Sequence, residues 1–451
     1  MRDASGQLGI MLKPLLLSAA ALALLAAGPP ERPDPAQVPD PAQLKATVER
    51  LVGFGTRHTL SGGTPRDGRG IDDAIAWSGD RFTAMAKQCG KCLRVETVSD
   101  RFSGPRAPDG VDVFDVLAVQ PGSGDSRHVV IVMAHIDSRV TDVANAVSDA
   151  PGANDNGSGS ALVLEAARIL SKEKFQATIV YALLSGEEQG LWGGRLMARI
   201  ARERGWKVAA VLNNDIVGNS VGQDGRRVDT LVRVFSEGAR ASEDLADTAA
   251  RRGNGGEDDG PSRALAKAAL RVAAAHPDIG LEVLAARRPD RFGRGGDHLP
   301  MLDAGHPAIR ITVGVENYDA QHQDLRTEAG RAYGDTIDRM DFAYLAKVTA
   351  LNVALLRELA SAPPAPERAT IAGAVATDTT VTWEAVPAAA GYRIRWRRND
   401  SQDWQQSKDV AGDATRLVLP GLIVDDHFVA VSALSASGAE SITTFAGAAP
   451  R

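Results

Sequence analysis

Three segments in the middle of the chain end in polar and acidic residues, and this arrangement constrains the fold more than any other feature. Residues 128–134 and 177–184 have the continuous apolar pattern of strands buried on both faces, and residues 207–212 lead into a third strand. Helical patterns separate these strands, which predicts an α/β fold with a largely parallel sheet covered by helices. Further strands are predicted at 93–98, 111–119, 231–235, 281–285 and 307–313, and helices at 71–87, 161–170, 191–201, 261–275 and 335–359.

The side chains that follow the three strands have the chemistry of metal ligands. They are His135, Asp137, Asp155, Glu187, Glu188 and Asp215. The carboxyl ends of parallel strands meet at one edge of a sheet, so these residues are expected to lie together. Carboxylates placed so closely repel one another, and divalent cations relieve that repulsion. Histidine combined with carboxylates suits zinc best, with manganese and cobalt as alternatives.

A balance of charges predicts how many ions the site holds. Two zinc ions are neutralised by Asp155, Glu188, Asp215 and one hydroxide, whereas a single ion leaves an excess of negative charge. This balance favours a two-metal hydrolytic site. His135 and Asp137 are two residues apart in an extended segment, so both side chains are expected to face that site.

The order and spacing of these motifs resemble the M28 family of dizinc aminopeptidases. The motifs are His135-x-Asp137-Ser138, Asn154-Asp155-Asn156-Gly157, Glu187-Glu188, Asn214-Asp215 and a late histidine. The resemblance covers residues 45 to 358 and implies a three-layer α/β/α fold with a mixed, mostly parallel sheet of about eight strands.

The resemblance also implies roles for individual residues. Zinc ligands are implied at His135, Asp155, Glu188, Asp215 and His322, with Asp155 bridging both ions. His322 is the histidine between the last strand and the terminal helix. The family often places this ligand directly after a tyrosine, whereas here Asp319 follows Tyr318.

Two further carboxylates match catalytic positions of the family. Glu187 matches the general base, which takes a proton from a metal-bridging water and passes it to the leaving amine. Asp137 matches the carboxylate that orients the ligand His135. Asp297 and His298 resemble a loop that faces the substrate cleft, and capping of that loop is the alternative role for His298. The other histidines are predicted to be structural: His58, His128, His276, His306 and His427.

The N-terminal residues have the pattern of a targeting segment. Residues 1–28 contain Lys13, then a short apolar run, then small residues of the kind found at cleavage sites. This pattern predicts a secretory signal, with a membrane anchor as the alternative. Residues 29–40 are predicted to be a Pro-rich linker. The protein is therefore expected in the periplasm or outside the cell, without stable membrane insertion after removal of the signal. In that setting the pair Cys89 and Cys92 is expected to form a structural disulfide rather than a redox or metal half-site.

The C-terminal part has a different pattern from the predicted catalytic domain at 41–360. Residues 361–368 form a linker by composition, and strict alternation of apolar and polar residues follows in 369–451. This segment resembles a fibronectin type III β-sandwich. Three arginines alternate along one predicted strand: Arg393, Arg395 and Arg397. They are expected either to face solvent or to bind an external surface or a polymer.

The function predicted from these features is that of an exported dizinc exopeptidase, most simply an aminopeptidase acting on peptide or protein N-termini. A dizinc carboxypeptidase of the same fold is the first alternative. Such an enzyme needs cationic residues that bind the terminal carboxylate of the substrate, and Arg291, Arg294 and Arg310 precede or flank the final strand. A glutaminyl cyclase is disfavoured because that enzyme uses one metal. A secreted binding protein with an inactive site is the alternative of another class. The net charge of −6 argues against a nucleic-acid partner.

Overall fold

The computed structural model describes residues 38–63 and 67–448. The predicted signal at 1–28 and most of the predicted linker at 29–40 lie outside these residues. Within the described residues, no helix combines the length and the apolar character needed to cross a membrane. Cys89 and Cys92 form a disulfide directly after the second helix, as the sequence predicts.

Eight strands form one mixed sheet in the larger part of the chain. They are β1 (Arg94–Gly104), β2 (Ala107–Gln120), β3 (His128–His135), β4 (Thr178–Leu184), β5 (Lys207–Asn214), β6 (Leu231–Phe235), β7 (Glu282–Ala286) and β8 (Ala308–Val313). Their order is β1–β2–β4–β3–β5–β8–β6–β7. The central strands β4, β3, β5 and β8 are parallel, whereas β1, β2 and β6 each pair antiparallel with a neighbour.

Helices cover both faces of this sheet, which explains why β3 and β4 are continuously apolar. The helices are α1 (Pro41–Val52), α2 (Ile71–Gln88), α3 (Gly157–Leu170), α4 (Glu187–Gly190), α5 (Trp192–Glu203), α6 (Leu245–Asn254), α7 (Pro261–Ala275), α8 (His298–Asp303) and α9 (Phe342–Ser361). Helices α1, α2, α3, α7 and α9 share one core with the sheet, and α5 and α8 share the core on the opposite face. The predicted α/β/α class is confirmed.

Two helices begin at other residues than the sequence predicts. Helix α3 begins at Gly157 rather than at residue 161, because the Asn156 side chain accepts a hydrogen bond from the Gly159 backbone at 3.0 Å and caps the helix. A Cβ atom at Gly159 would lie 2.3 Å from the Asn214 carbonyl oxygen, so glycine is required where this helix approaches β5. Helix α9 begins at Phe342 rather than at residue 335, since Asp341 caps it.

The C-terminal part is a second, all-β unit of structure. Its strands are β11 (Ala369–Ala372), β12 (Thr379–Trp383), β13 (Gly391–Arg398), β14 (Gln406–Ala411), β15 (Arg416–Leu419), β16 (His427–Leu434) and β17 (Thr444–Ala448), after a small hairpin of β9 (Arg326–Glu328) and β10 (Arg331–Tyr333). The seven strands have the order β14–β13–β16–β17–β11–β12–β15. Strand β17 pairs antiparallel with β16 and parallel with β11, which curls the sheet around one apolar core. The predicted sandwich class is confirmed, and the fibronectin type III assignment stays a prediction.

The arginine-bearing strand β13 contacts the α/β part of the same chain. Arg397 pairs with Asp259 at 2.5 Å, and their side chains are 3% and 0% exposed. Arg395 pairs at 2.7 Å with Glu440, which also lies 3.5 Å from Arg271 of α7. The mostly buried Arg395 and Arg397 are therefore neither a solvated face nor a surface for an external polymer. They hold the two parts of the chain together.

We expect the Asp259→Ala substitution to destabilise the protein by about 3–5 kcal/mol, because it leaves Arg397 buried without its carboxylate. The midpoint of denaturant unfolding, measured with the m-value, tests this expectation. The matched control is Asp400→Ala, which removes an exposed partner of Arg398 on the same sheet and should leave the midpoint unchanged. Equal midpoints for the two variants would show that the junction does not depend on this pair.

Candidate metal centre

The acidic residues predicted from the sequence meet at the carboxyl ends of β3, β4 and β5. The histidine His135 and the carboxylates of Glu187 and Asp215 form one group, in which one potential ligand atom from each lies within 4.8 Å of the others. The His135 Nε2 atom lies 3.6 Å from Asp215 Oδ1. This first group joins the ends of all three strands.

A second group consists of Asp155, Glu188 and His322, whose ligand atoms also lie within 4.8 Å of one another. The His322 Nε2 atom lies 2.9 Å from Asp155 Oδ2 and 3.0 Å from Glu188 Oε1. The late histidine assigned from the sequence is therefore brought to the carboxylates, although its loop lies far along the chain.

Asp155 lies between the two groups. Its Oδ1 is 3.3 Å from His135 Nε2, and its Oδ2 is 2.9 Å from His322 Nε2. One carboxylate that presents its two oxygens to two ligand groups has the geometry of a bridging ligand. The bridging role that the family resemblance implies for Asp155 stays a prediction.

Asp137 connects the first strand to the two adjacent glutamates. The His135 Nδ1 atom lies 3.1 Å from the Asp137 carbonyl oxygen and 3.4 Å from its Oδ1. The Asp137 carboxylate also accepts hydrogen bonds from the backbone amides of Glu187 and Glu188 and from the Thr59 hydroxyl. Asp137 thus contacts His135 and anchors the start of α4, and its role in orienting that ligand stays a prediction.

The short helix α4 explains how two consecutive glutamates reach one site. In a strand, neighbouring side chains point to opposite faces. Here Gly186 follows β4 with φ of 78°, a left-handed conformation that glycine adopts without strain, and the chain turns directly into α4. Glu187 and Glu188 are the first two residues of this helix, and each joins a different ligand group.

Two arginines accompany the ligand groups: Arg310, which the sequence analysis considered only as a binder of a substrate carboxylate, and Arg139, which it did not select. Arg310 is fully buried in β8, and its Nη1 lies 2.9 Å from Asp215 Oδ2. Arg139 donates from Nε to Glu188 Oε2 at 2.8 Å, and its Nη2 lies 2.6 Å from His322 Nδ1. A charged residue inside the apolar run of β8 is a sequence signal that Arg310 has a buried partner, since a buried charge requires one.

The loop that carries Asp155 is held by two further buried charges. Asp335 accepts hydrogen bonds from the Asn154 and Asp155 amides, at 3.0 and 2.7 Å, and burial raises its pKa to about 7. Arg57 donates to the carbonyl oxygens of Ile136, Pro151 and Gly152. The sequence provided no spacing that connects either residue to the loop.

The charges at the centre shift the pKa values of its histidines upward. Burial alone would lower the pKa of His322, but the carboxylates of Glu188 and Asp155 outweigh it and raise that pKa to about 10. Burial also opposes protonation of His135, and nearby carboxylates, with Glu187 the strongest, raise its pKa well above the usual value. Both shifts show that this cluster of anions strongly favours positive charge in its midst.

Two observations indicate that the residues of the two ligand groups can bind a metal ion. The buried atoms His135 Nε2 and Glu188 Oε1 have no hydrogen-bond partner in the described part of the chain, and both point at other potential ligands. Buried polar atoms are normally satisfied, so these two indicate an additional binding partner. Histidine nitrogens and carboxylate oxygens are the donors that zinc accepts.

The remaining candidate residues are buried behind the centre. Asp297 accepts a hydrogen bond from the Gly194 amide at 2.9 Å, and burial raises its pKa to about 7. The fully buried His298 places Nε2 2.8 Å from the Pro289 carbonyl oxygen. These contacts are structural, and the role in substrate binding stays a prediction for both residues. His58, predicted to be structural, lies near the centre, with Nε2 3.0 Å from Gln189.

We expect the chelated protein to lose stability as the pH rises from about 6.5 to about 10. The pKa of His322 is raised in the folded state, so its contribution is complete below about pH 6.5 and is lost as the pH passes through the folded value. Unfolding midpoints of chelated protein across this range test the expectation. His322→Gln should flatten the slope, and an unchanged slope in that variant would contradict it.

Comparison with known proteins places this centre in a family. The family model described as Peptidase family M28 matches residues 115–355, slightly more than half of the chain. A protein named "Probable zinc metalloprotease" from Pyrenophora tritici-repentis is 39% identical over 88% of this chain and 83% of its own length. Another zinc metalloprotease of that name, from Leptosphaeria maculans, is 41% identical over 84% of this chain and 88% of its own length.

Solved structures share the fold at low sequence identity. The Legionella pneumophila LapA aminopeptidase is 20% identical, with a TM-score of 0.50 over 71% of this chain and 72% of that chain. The Fimbriiglobus ruber glutaminyl cyclase is 19% identical, with a TM-score of 0.51 over 73% of this chain and 99% of that chain. The match of the family model and the two relatives show that this chain belongs to the M28 family of zinc metallopeptidases.

Proposed function

We propose that this protein is an exported dizinc aminopeptidase that releases N-terminal residues from peptides. The observation that carries the proposal is the position of Asp155, whose two oxygens face the two ligand groups. Export is supported by the pattern of residues 1–28 and by the Cys89–Cys92 disulfide, since disulfides persist in oxidising compartments.

Two zinc ions fit the centre better than one. His135 and Asp215 belong to one group, and Glu188 and His322 belong to the other, with Asp155 common to both. When bound, the ions supply Lewis acidity toward the scissile carbonyl and bind the free amine of the substrate. This arrangement uses every ligand that the sequence assigns.

Glu187 is proposed as the general base. It lies within the first group, and burial raises its pKa well above the usual value, which improves its ability to hold a proton. In this role it takes a proton from the attacking water and returns it to the nitrogen of the leaving amine, so that no proton is lost from the site. Asp137 fixes the backbone at Glu187 through its carboxylate.

The arginines that suggested a carboxypeptidase are paired with carboxylates of the protein itself. Arg310 pairs with Asp215, Arg291 pairs with Asp290, and Arg294 pairs with Glu316, at 2.9, 3.1 and 3.1 Å. A terminal carboxylate of a substrate would have to displace one of these partners. The pairing supports the aminopeptidase over the carboxypeptidase of the same fold.

We expect Glu187→Gln to retain two zinc ions per chain while its turnover falls by about 10²–10⁴-fold, because the amide cannot accept the proton. Metal analysis of the purified variant and steady-state kinetics measure the two effects. Glu203→Gln is the control, because Glu203 is a half-exposed residue at the end of α5. Full turnover by the Glu187 variant with zinc bound would reject the assignment of the base.

A panel of peptides tests the direction of cleavage. We expect hydrolysis of peptides with a free amine, no hydrolysis of their N-acetylated forms, and no effect of C-terminal amidation. The reason is that the proposed centre binds the amine and leaves the other terminus unrecognised. Cleavage of acetylated peptides that is abolished by amidation would establish the carboxypeptidase instead, and one zinc ion per chain would contradict the dizinc centre.

A further inference from the structure

Gln321 directly precedes His322 and contacts the centre, although the roles proposed above do not use it. Its Nε2 atom lies 3.2 Å from Asp155 Oδ2, the oxygen that also faces His322 Nε2. Gln321 therefore brings an uncharged hydrogen-bond donor to the point where the two ligand groups meet. Metal binding by the two ligand groups does not require a hydrogen-bond donor at this position.

Arg294 determines which way the Gln321 amide points. The Arg294 Nη1 atom lies 2.8 Å from Gln321 Oε1. A guanidinium has only donors, so the amide oxygen must face Arg294 and the amide nitrogen must face Asp155. The reverse orientation would set two donors against each other on one side and two acceptors on the other.

Glu316 holds Arg294 in place. The Glu316 side chain is 5% exposed. Its carboxylate forms ion pairs with Arg294 at 3.1 Å, Arg233 at 2.6 Å and Arg291 at 3.4 Å. The positive charge on the oxygen side of the Gln321 amide polarises that amide and strengthens its N–H groups as donors. Glu316, Arg294 and Gln321 thus form a row that ends in a polarised donor at the ligand groups.

We propose that Gln321 is a further catalytic residue, which donates a hydrogen bond to the carbonyl oxygen of the scissile bond as negative charge develops there. The contact with Asp155 uses one of the two amide hydrogens, and the second is available to the substrate. Preorganised amide donors of this kind stabilise developing oxyanions in acyl transfer. Arg294 is a positioning residue that acts through Gln321. The inference rests on the proposed peptidase function.

The test compares Gln321→Ala with Gln323→Ala. Gln323 is the matched control, since an arginine, Arg326, also donates to its Oε1 at 3.0 Å. We expect the Gln321 variant to lose about 10²–10³-fold in kcat with KM and zinc content unchanged. We expect its affinity for an aminophosphonic acid, which imitates the tetrahedral state, to fall by a similar factor, while affinity for the matched amino acid stays constant. The control should match the wild type.

Arg294 provides a second variant that reports on positioning. Arg294→Met should lower kcat and phosphonate affinity less than the loss of Gln321 does, and Arg294→Lys should restore part of both. An unchanged kcat in Gln321→Ala would overturn the proposal, and so would a loss of zinc that accounts for the lower rate. Failure of the wild type to cleave peptides with free amines would instead reject the proposed function, so the two failures are distinguishable.

Discussion

Repulsion among carboxylates at one edge of the sheet is the constraint on which the rest of this structure depends. Asp155, Glu188 and Asp215 are buried where the parallel strands end, and the partly buried Glu187 lies beside them. In such surroundings like charges are far more costly than at a surface. The site therefore needs compensating cations, which the neighbouring arginines supply in part and the proposed zinc ions would complete.

The scaffold meets this constraint with contacts from every side of the centre. Asp137 contacts His135 and anchors the two glutamates, and Asp335 holds the amides of the loop that carries Asp155. Arg310 reaches Asp215 from the adjacent strand. Asp155, Glu188 and Asp215 are thus held by partners from distant parts of the chain, which preorganises the centre for a metal. Buried ion pairs such as Arg397 with Asp259 join the all-β unit to the α/β part of the chain.

Strand patterns located the polar residues at the ends of β3, β4 and β5, and the resemblance to the M28 family supplied the complete ligand set, including Asp155 and His322. They did not locate Arg139 or Gln321, nor the pairing of Arg310 with Asp215, since the partners of these residues lie far away along the chain. Arg139 and His322 are 183 residues apart, and Gln321 and Asp155 are 166 residues apart. Such pairs have no local signal, because the periodicity of a strand or a helix describes only neighbours within a few residues.

The sequence by itself determined the buried parallel strands, the acidic residues at their ends and the separate alternating pattern of the C-terminal part. Only the tertiary structure decided which carboxylates share a group and that Asp155 stands between the groups. It also decided that Arg395 and Arg397 of β13 belong to an internal junction. The physical reason is that the local pattern of apolar and polar residues specifies which face of a helix or strand is buried. The order of the strands in the sheet specifies which elements lie next to that face. Placing β8 beside β5 brings Arg310 to Asp215 across the sheet.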